Sequence, residues 1–158
     1  MGNHIGTPRK VLLIATGGTI ACRETENGLA PVLDGESLLR ELPELASVCD
    51  TEVLDLMQRD STDITAADRM QMARAVWERR GQYDGFVIAH GTDTLSYAAA
   101  TLSYLIQKNE KPVVLTGAQK SIEVPDGDAR RNLFEAFVYA TDARACGTHV
   151  VFNGHVIA

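Results

Sequence analysis

Cysteine is scarce. The chain has three, Cys22, Cys49 and Cys146, far apart and without C-x-x-C spacing. That excludes a disulfide framework and a cysteine-built zinc site, and it reads as reduced thiols in a cytoplasmic protein. Long apolar runs are missing as well. No stretch approaches the ~20 residues a bilayer-spanning helix needs, and "MGNHIGTPRK" holds no apolar signal core. The chain opens Met1-Gly2, but Gly6 stands where an acylation signal wants Ser or Thr. Clustered basic charge is absent too. Net charge is −6, and the longest basic clusters are Arg79–Arg80 and Arg130–Arg131. Such a chain does not track a phosphate backbone, so nucleic acid is not an expected partner, and neither is a membrane.

What is present is enough for one domain spanning residues 1–158. A hydrophobic fraction of 45% supports a real core at this length. Four runs repeat one grammar: "VLLIAT" (Val11–Thr16), "GFVIAH" (Gly85–His90), "PVVLTG" (Pro112–Gly117) and "HVVFNG" (His149–Gly154). Each is short, apolar throughout and bounded by Gly, Pro or a polar residue. Continuous apolarity predicts strands covered on both faces, as in a parallel sheet. "TEVLDLM" (Thr51–Met57) alternates more and reads as a strand nearer an edge.

Helical spacing fills the gaps. Ala66, Met70, Ala73 and Trp77 form a stripe over Thr65–Arg80, with Thr65 as cap and Asp68 in the first turn. Leu95, Ala98, Ala99, Leu102, Leu105 and Ile106 mark a second helix over Thr94–Gln107. Leu133, Ala136, Phe137 and Ala140 mark a third over Asp128–Asp142. "DGESLLREL" is a shorter helix stopped by Pro43. The expected fold is α/β, a mostly parallel sheet with helices on both faces. The polar stretch "CRETENGLAP", from Cys22 to Pro31, is a candidate flap.

In such sheets ligands bind beyond the carboxyl ends of the strands. Those ends carry Gly17, Gly18 and Thr19; Asp60, Ser61, Thr62 and Asp63; Gly91, Thr92 and Asp93; and Gly117, Ala118 and Gln119. All are small, hydroxylic, carboxylic or amide-bearing, which suits hydrogen bonding to a small polar molecule. Gly17 and Gly18 let the backbone turn tightly, and their N–H groups can face a developing oxyanion. Thr19 then places a hydroxyl where a nucleophile would attack a carbonyl. Alone, "GGT" reads as an ordinary capped turn. In "HGTDT", Asp93 is either a helix cap or the partner of a substrate ammonium, and Thr92 either a second nucleophile or a proton relay. His90 ends an apolar strand and reads as a satisfied, partly buried histidine. Asp60 and Asp63 lack further ligands at metal spacing, so no metal is expected.

With "ATGGTIA", "DGFVIAHGTDTLSYAA" and "KPVVLTGAQ" in this order, the chain resembles the bacterial L-asparaginases, from Val11 to about Val151. The resemblance implies their N-terminal domain fold and hydrolysis of L-asparagine to aspartate and ammonia without a cofactor. It implies Thr19 as nucleophile, Thr92 as second catalytic threonine, and Asp93 as its acidic neighbour and holder of the α-amino group. It places Ser61 on the α-carboxylate, with Asp60 and Thr62 beside it, and the N–H groups of Gly18 and Thr92 in an oxyanion hole next to Gly91. The Ala118 carbonyl would accept from the leaving amide. Assembly into a homo-oligomer, dimer or tetramer, is implied as well. The family's lysine lies beyond Ala158, and Lys108, Lys111 and Lys120 do not match it. Leu29 stands where the flap usually carries tyrosine. On these grounds the chain is expected to be either a short form without the family's C-terminal domain or a piece of a longer member. Two other readings stand beside amidohydrolase: an amino-acid-binding or sensing domain, and a domain of a tRNA-linked amidotransferase.

Overall fold

Val11, Leu13 and Ile14 are fully buried, and they open the element on which the molecule is built. The computed structural model describes residues 8–26 and 28–158. The start of the chain, with the Met1-Gly2 signal reading, lies outside the described residues. The strands are β1 (Lys10–Gly17), β2 (Cys22–Thr25), β3 (Gly28–Pro31), β4 (Asp50–Arg59), β5 (Gly85–Ala89), β6 (Pro112–Thr116), β7 (Gly147–Phe152) and β8 (His155–Ile157). The helices are α1 (Gly35–Arg40), α2 (Ala66–Arg79), α3 (Leu95–Leu105) and α4 (Ala129–Ala140). One six-stranded sheet runs β4-β1-β5-β6-β7-β8. Every pairing is parallel except β7 with β8. The alternating strand β4 is an edge, in keeping with its pattern.

The period-2 geometry of a strand sends neighbouring residues to opposite faces. Val11 and Leu13 accordingly join a core with Leu38 of α1 and Leu133 and Phe137 of α4. Leu12 and Ile14 join a second core with Met72 and Val76 of α2 and Leu102 of α3. The helices therefore cover both faces, and the strand ends are left as the open rim. Among the described residues no helix is long and apolar enough to cross a membrane.

Three features differ from the sequence reading. The buried face of α2 is Asp68, Met72, Ala73, Ala75 and Val76, and Met70 and Trp77 are each 49% exposed. Two stripes compete on this helix. The one with Ala73 and Ala75 lets the helix lie close to the sheet, while Trp77 stays outside with the Arg80 guanidinium 3.6 Å from its ring centroid. The second difference is β8. Asn153 (φ 50°) and Gly154 (φ 78°) form a left-handed two-residue connection that folds the chain back onto β7. Asn-Gly is a strong hairpin signal, here masked by its place at the end of an apolar run. The third is the flap, which is a two-stranded antiparallel hairpin, β2 with β3. Arg23 pairs with Glu123, and Ser121 Oγ donates to the Cys22 carbonyl, so the base of the hairpin is tied to the loop after β6.

Candidate active site

β1 ends in a backbone that only glycine adopts easily. Gly18 has φ 77°, and the chain then makes one 3-10 turn over Thr19–Ala21. A Cβ on Gly18 would lie 2.3 Å from the Cα and N of Gly91, and one on Gly91 would lie 2.5 Å from Ser61 Oγ. The turns after β1, β4 and β5 are thus in van der Waals contact because two side chains are missing. This brings Thr19, Ser61 and Thr92 to one end of the sheet from positions far apart in the chain. Thr92 begins a second 3-10 turn, Thr92–Thr94, which runs straight into α3. The first N–H groups of such a turn have no partner within it and face outward.

Among the described residues the hydroxyls of Thr19 and Thr92 and the carboxylate of Asp93 have no hydrogen-bond partner. They are uncommitted groups at the rim. Other polar groups there are committed. The Gly18 N–H, which the resemblance implied as an oxyanion donor, instead donates to the Arg59 carbonyl at 2.9 Å. That bond closes the β1 turn onto the end of β4, so the donor is unavailable in this geometry. Among the described residues the N–H groups opening the two threonine turns, on Thr19 and Thr92, donate to no such carbonyl. Asp60 Oδ1 accepts from the Thr62 N–H and hydroxyl, at 2.9 and 2.8 Å. Those bonds hold its carboxyl below the usual carboxylate range. Asp60 and Thr62 therefore shape the turn that presents Ser61, which is 2% exposed.

Behind the rim lies a buried polar chain. His90 is 1% exposed. Its Nδ1 is 2.8 Å from Thr16 Oγ1 and its Nε2 3.3 Å from Thr94 Oγ1. Burial, with the nearby Arg69 charge, pushes its pKa down to about 4, so the ring is neutral. It is a satisfied core histidine, and more deeply buried than its place at a strand end suggested. Cys22 is buried beside the first turn, its Sγ 3.4 Å from the Gly18 carbonyl oxygen. Burial and the charge of Asp60 raise its pKa, which disfavours a thiolate.

Ala118 is fully buried in the loop after β6. Asp128 receives the N–H groups of Gln119 and Lys120, at 2.9 and 3.1 Å. Asn132 Nδ2 donates to the Gly117 carbonyl at 3.0 Å, and its Oδ1 accepts from the Asn153 N–H at 2.9 Å. One buried amide thus fixes both the β6 loop and the β7–β8 turn. Sequence reading missed Asn132, although a polar residue on the apolar face of α4 was a signal. It also missed Thr94, whose hydroxyl donates to the Ser61 carbonyl at 2.9 Å. An apolar groove of about 340 Å³ opens beside Thr92, walled by Leu95, Val150, Phe152 and Ile157. Among the described residues no three His, Cys, Asp or Glu converge as a metal site.

The sequence and the fold have counterparts among known proteins. A family model described as "Asparaginase, N-terminal" matches residues 10–158. An L-asparaginase of Thermococcus kodakarensis is 41% identical over 136 residues, covering 83% of this chain and 40% of the relative. An L-asparaginase of Bacillus licheniformis is 38% identical over 160 residues, covering 94% of this chain and 47% of the relative. A glutamyl-tRNA(Gln) amidotransferase component from Thermoplasma acidophilum is 34% identical over 154 residues, covering 94% of this chain and 37% of the relative. The solved structure of a thermostable L-asparaginase from Thermococcus kodakarensis superposes with a TM-score of 0.82 at 39% identity. It covers 93% of this chain and 45% of that one. The chain spans less than half the length of these relatives.

Proposed function

From the premise that this chain belongs to the asparaginase N-terminal family, we propose that it is an L-asparaginase domain with Thr19 as nucleophile. The observation that carries the reading is the contact of the Gly18, Ser61 and Gly91 turns, which gathers three uncommitted groups, Thr19, Thr92 and Asp93, beyond the strand ends. In this reading Asp93 receives the α-ammonium of L-asparagine and Ser61 its α-carboxylate. Holding both ends of the amino acid sets the amide carbon over Thr19 Oγ1.

The Thr19 hydroxyl adds to that carbon as its proton passes by way of Thr92 to the amide nitrogen. The N–H groups of Thr19 and Thr92 meet the negative oxygen. The Ala118 carbonyl accepts an N–H of the departing amine. Breakage of the C–N bond releases ammonia and leaves an ester on Thr19. Water then cleaves the ester, restoring the hydroxyl and giving aspartate. Lys111 takes no part in this chemistry: its Nζ donates to the carbonyls of Arg80 and Tyr83, at the strand amino ends. No cofactor enters the scheme. We further propose that the protein works in the cytoplasm as a homo-oligomer whose neighbour helps exclude water from the open rim.

A coupled assay of ammonia release from asparagine and glutamine tests the reading. Asparagine is expected to be preferred by roughly 10–200-fold, the discrimination one methylene supports. Folded protein that binds L-aspartate but frees no ammonia from either amide would leave a sensing domain in its place. The similarity to an amidotransferase component favours one second reading, ammonia supply to a partner enzyme. It predicts that glutamine turnover appears only when that partner is added.

A further inference from the structure

The buried chain behind the rim contains a proton count that singles out one hydroxyl. Thr16 Oγ1 donates its only hydrogen to the Ala89 carbonyl, at 2.8 Å. His90 Nδ1, 2.8 Å from the same oxygen, must therefore be the N–H that donates to it. A neutral ring carrying its proton on Nδ1 has a bare Nε2. That acceptor faces Thr94 Oγ1 at 3.3 Å. Thr94 has one hydrogen too, and it lies on the shorter bond, to the Ser61 carbonyl at 2.9 Å. The hydroxyl thus has two acceptors, and the closer belongs to the turn that presents Ser61.

Thr94 closes the same short turn that carries Thr92 and Asp93. Its bond to Ser61 crosses between two loops separated by 33 residues in sequence. The contact of Gly91 with Ser61 brings the loops together, but it has no direction. The Thr94 hydrogen bond supplies one, because it forms only when the Ser61 carbonyl faces the β5 turn.

We propose that Thr94 is a positioning residue for the substrate clamp: its hydroxyl sets the separation between Ser61 and Asp93. The inference rests on the proposed function, in which these two residues hold the two ends of one amino acid. The clamp is the part of the site that binds; Thr19, on another turn, does the chemistry. Loss of the Thr94 hydroxyl therefore weakens substrate binding more than turnover.

Thr94→Val keeps the shape and removes the hydroxyl, and Thr94→Ser keeps the hydroxyl. Thr94→Val is expected to raise KM for L-asparagine roughly tenfold, the effect of one lost hydrogen bond. Its kcat should stay within about threefold of wild type. Thr94→Ser should restore KM. Hydrogen exchange of residues 60–64, measured without ligand, should quicken in Thr94→Val and return in Thr94→Ser. Should Thr94→Val not fold, Thr94→Ala carries the same expectations. A Thr94→Val protein with wild-type KM and exchange, a loss of kcat at constant KM, or a Thr94→Ser protein as impaired as the valine variant overturns the proposal. If the wild type frees no ammonia, the functional reading fails by itself. Exchange at 60–64 then decides the tether alone: quickened exchange upholds it and unchanged exchange refutes it.

Discussion

The turns after β1 and β5 present the same group, a threonine at the start of one 3-10 turn, by opposite means. The first depends on backbone that side chains disfavour, Gly17 at φ 101° and Gly18 at φ 77°. It feeds a short helical turn and then the β2–β3 hairpin, which has Leu29 60% exposed near its tip. The second uses ordinary backbone, Gly91 at φ −72°, and continues directly into α3. A helix packed through Leu95, Ala98 and Leu102 continues the second turn, and the buried His90 lies behind it. The first is anchored by its own Ile20 and Ala21, which are buried in the core, and closed by the Arg59 carbonyl and by contact with the second. The difference teaches which threonine is exposed to error. Thr92 inherits the stiffness of a helix. Thr19 is placed only as well as its neighbours allow.

Alanine at the two facing glycines separates these cases most sharply. Gly18→Ala meets backbone atoms of Gly91 at 2.3 Å and must also hold a positive φ. Together the overlap and the strain should cost about 3–5 kcal/mol in denaturant unfolding. Gly91→Ala has an acceptable φ and meets mainly the Ser61 side chain. It should cost about 1–3 kcal/mol, with displacement of Ser61 as the main effect. Equal losses at the two sites would erase the distinction between turns.

Acid probes the histidine behind the second turn. His90 has a pKa of about 4 in the fold against an ordinary 6.5. Below 6.5 the unfolded chain takes up a proton that the folded one refuses. Stability is therefore full above about pH 6.5 and declines as pH falls towards 4. The expected loss between pH 7 and 4.5 is about 2–3 kcal/mol, read by urea unfolding. His90→Gln should flatten that slope. Depressed carboxyls such as Asp60 act lower, because their contribution is lost only as pH drops below their ordinary 3.8. An unchanged slope in the variant would remove His90 from the account.

The smallest effect is expected at the hairpin. Arg23 and Glu123 pair across its base with side chains 54% and 38% exposed. Arg23→Ala should leave the unfolding midpoint almost unchanged, since solvent screens such pairs. A marked drop, read by thermal unfolding, would mean that the first turn is held through its hairpin and not through Gly91.

Legibility followed the range of the interaction. The strands β1, β5 and β6 were visible because burial on both faces leaves an unbroken apolar run, and their glycine ends marked the rim. The α2 face was not, because Met70–Trp77 and Met72–Val76 are equally regular and only packing against the sheet chooses between them. β8 was missed although Asn153-Gly154 announced it. Asn132 broke the apolar face of α4 and so could be noticed, but neither its role nor that of Thr94 follows from local pattern, since their partners are carbonyl oxygens 15 and 33 residues away. The Gly18 N–H was misassigned for a related reason. Its partner, the Arg59 carbonyl, lies on a neighbouring strand end that the motif alone does not show.

The central claim is that two threonine turns, differently supported, make one site for one amide. Ammonia release from L-asparagine by the wild type, Thr19→Ala and Thr92→Val, all confirmed folded, tests it most directly. The account predicts release by the wild type and a loss of at least ~10³-fold in each variant, the scale of removing a group that acts in the reaction. Near wild-type release by both variants would contradict it.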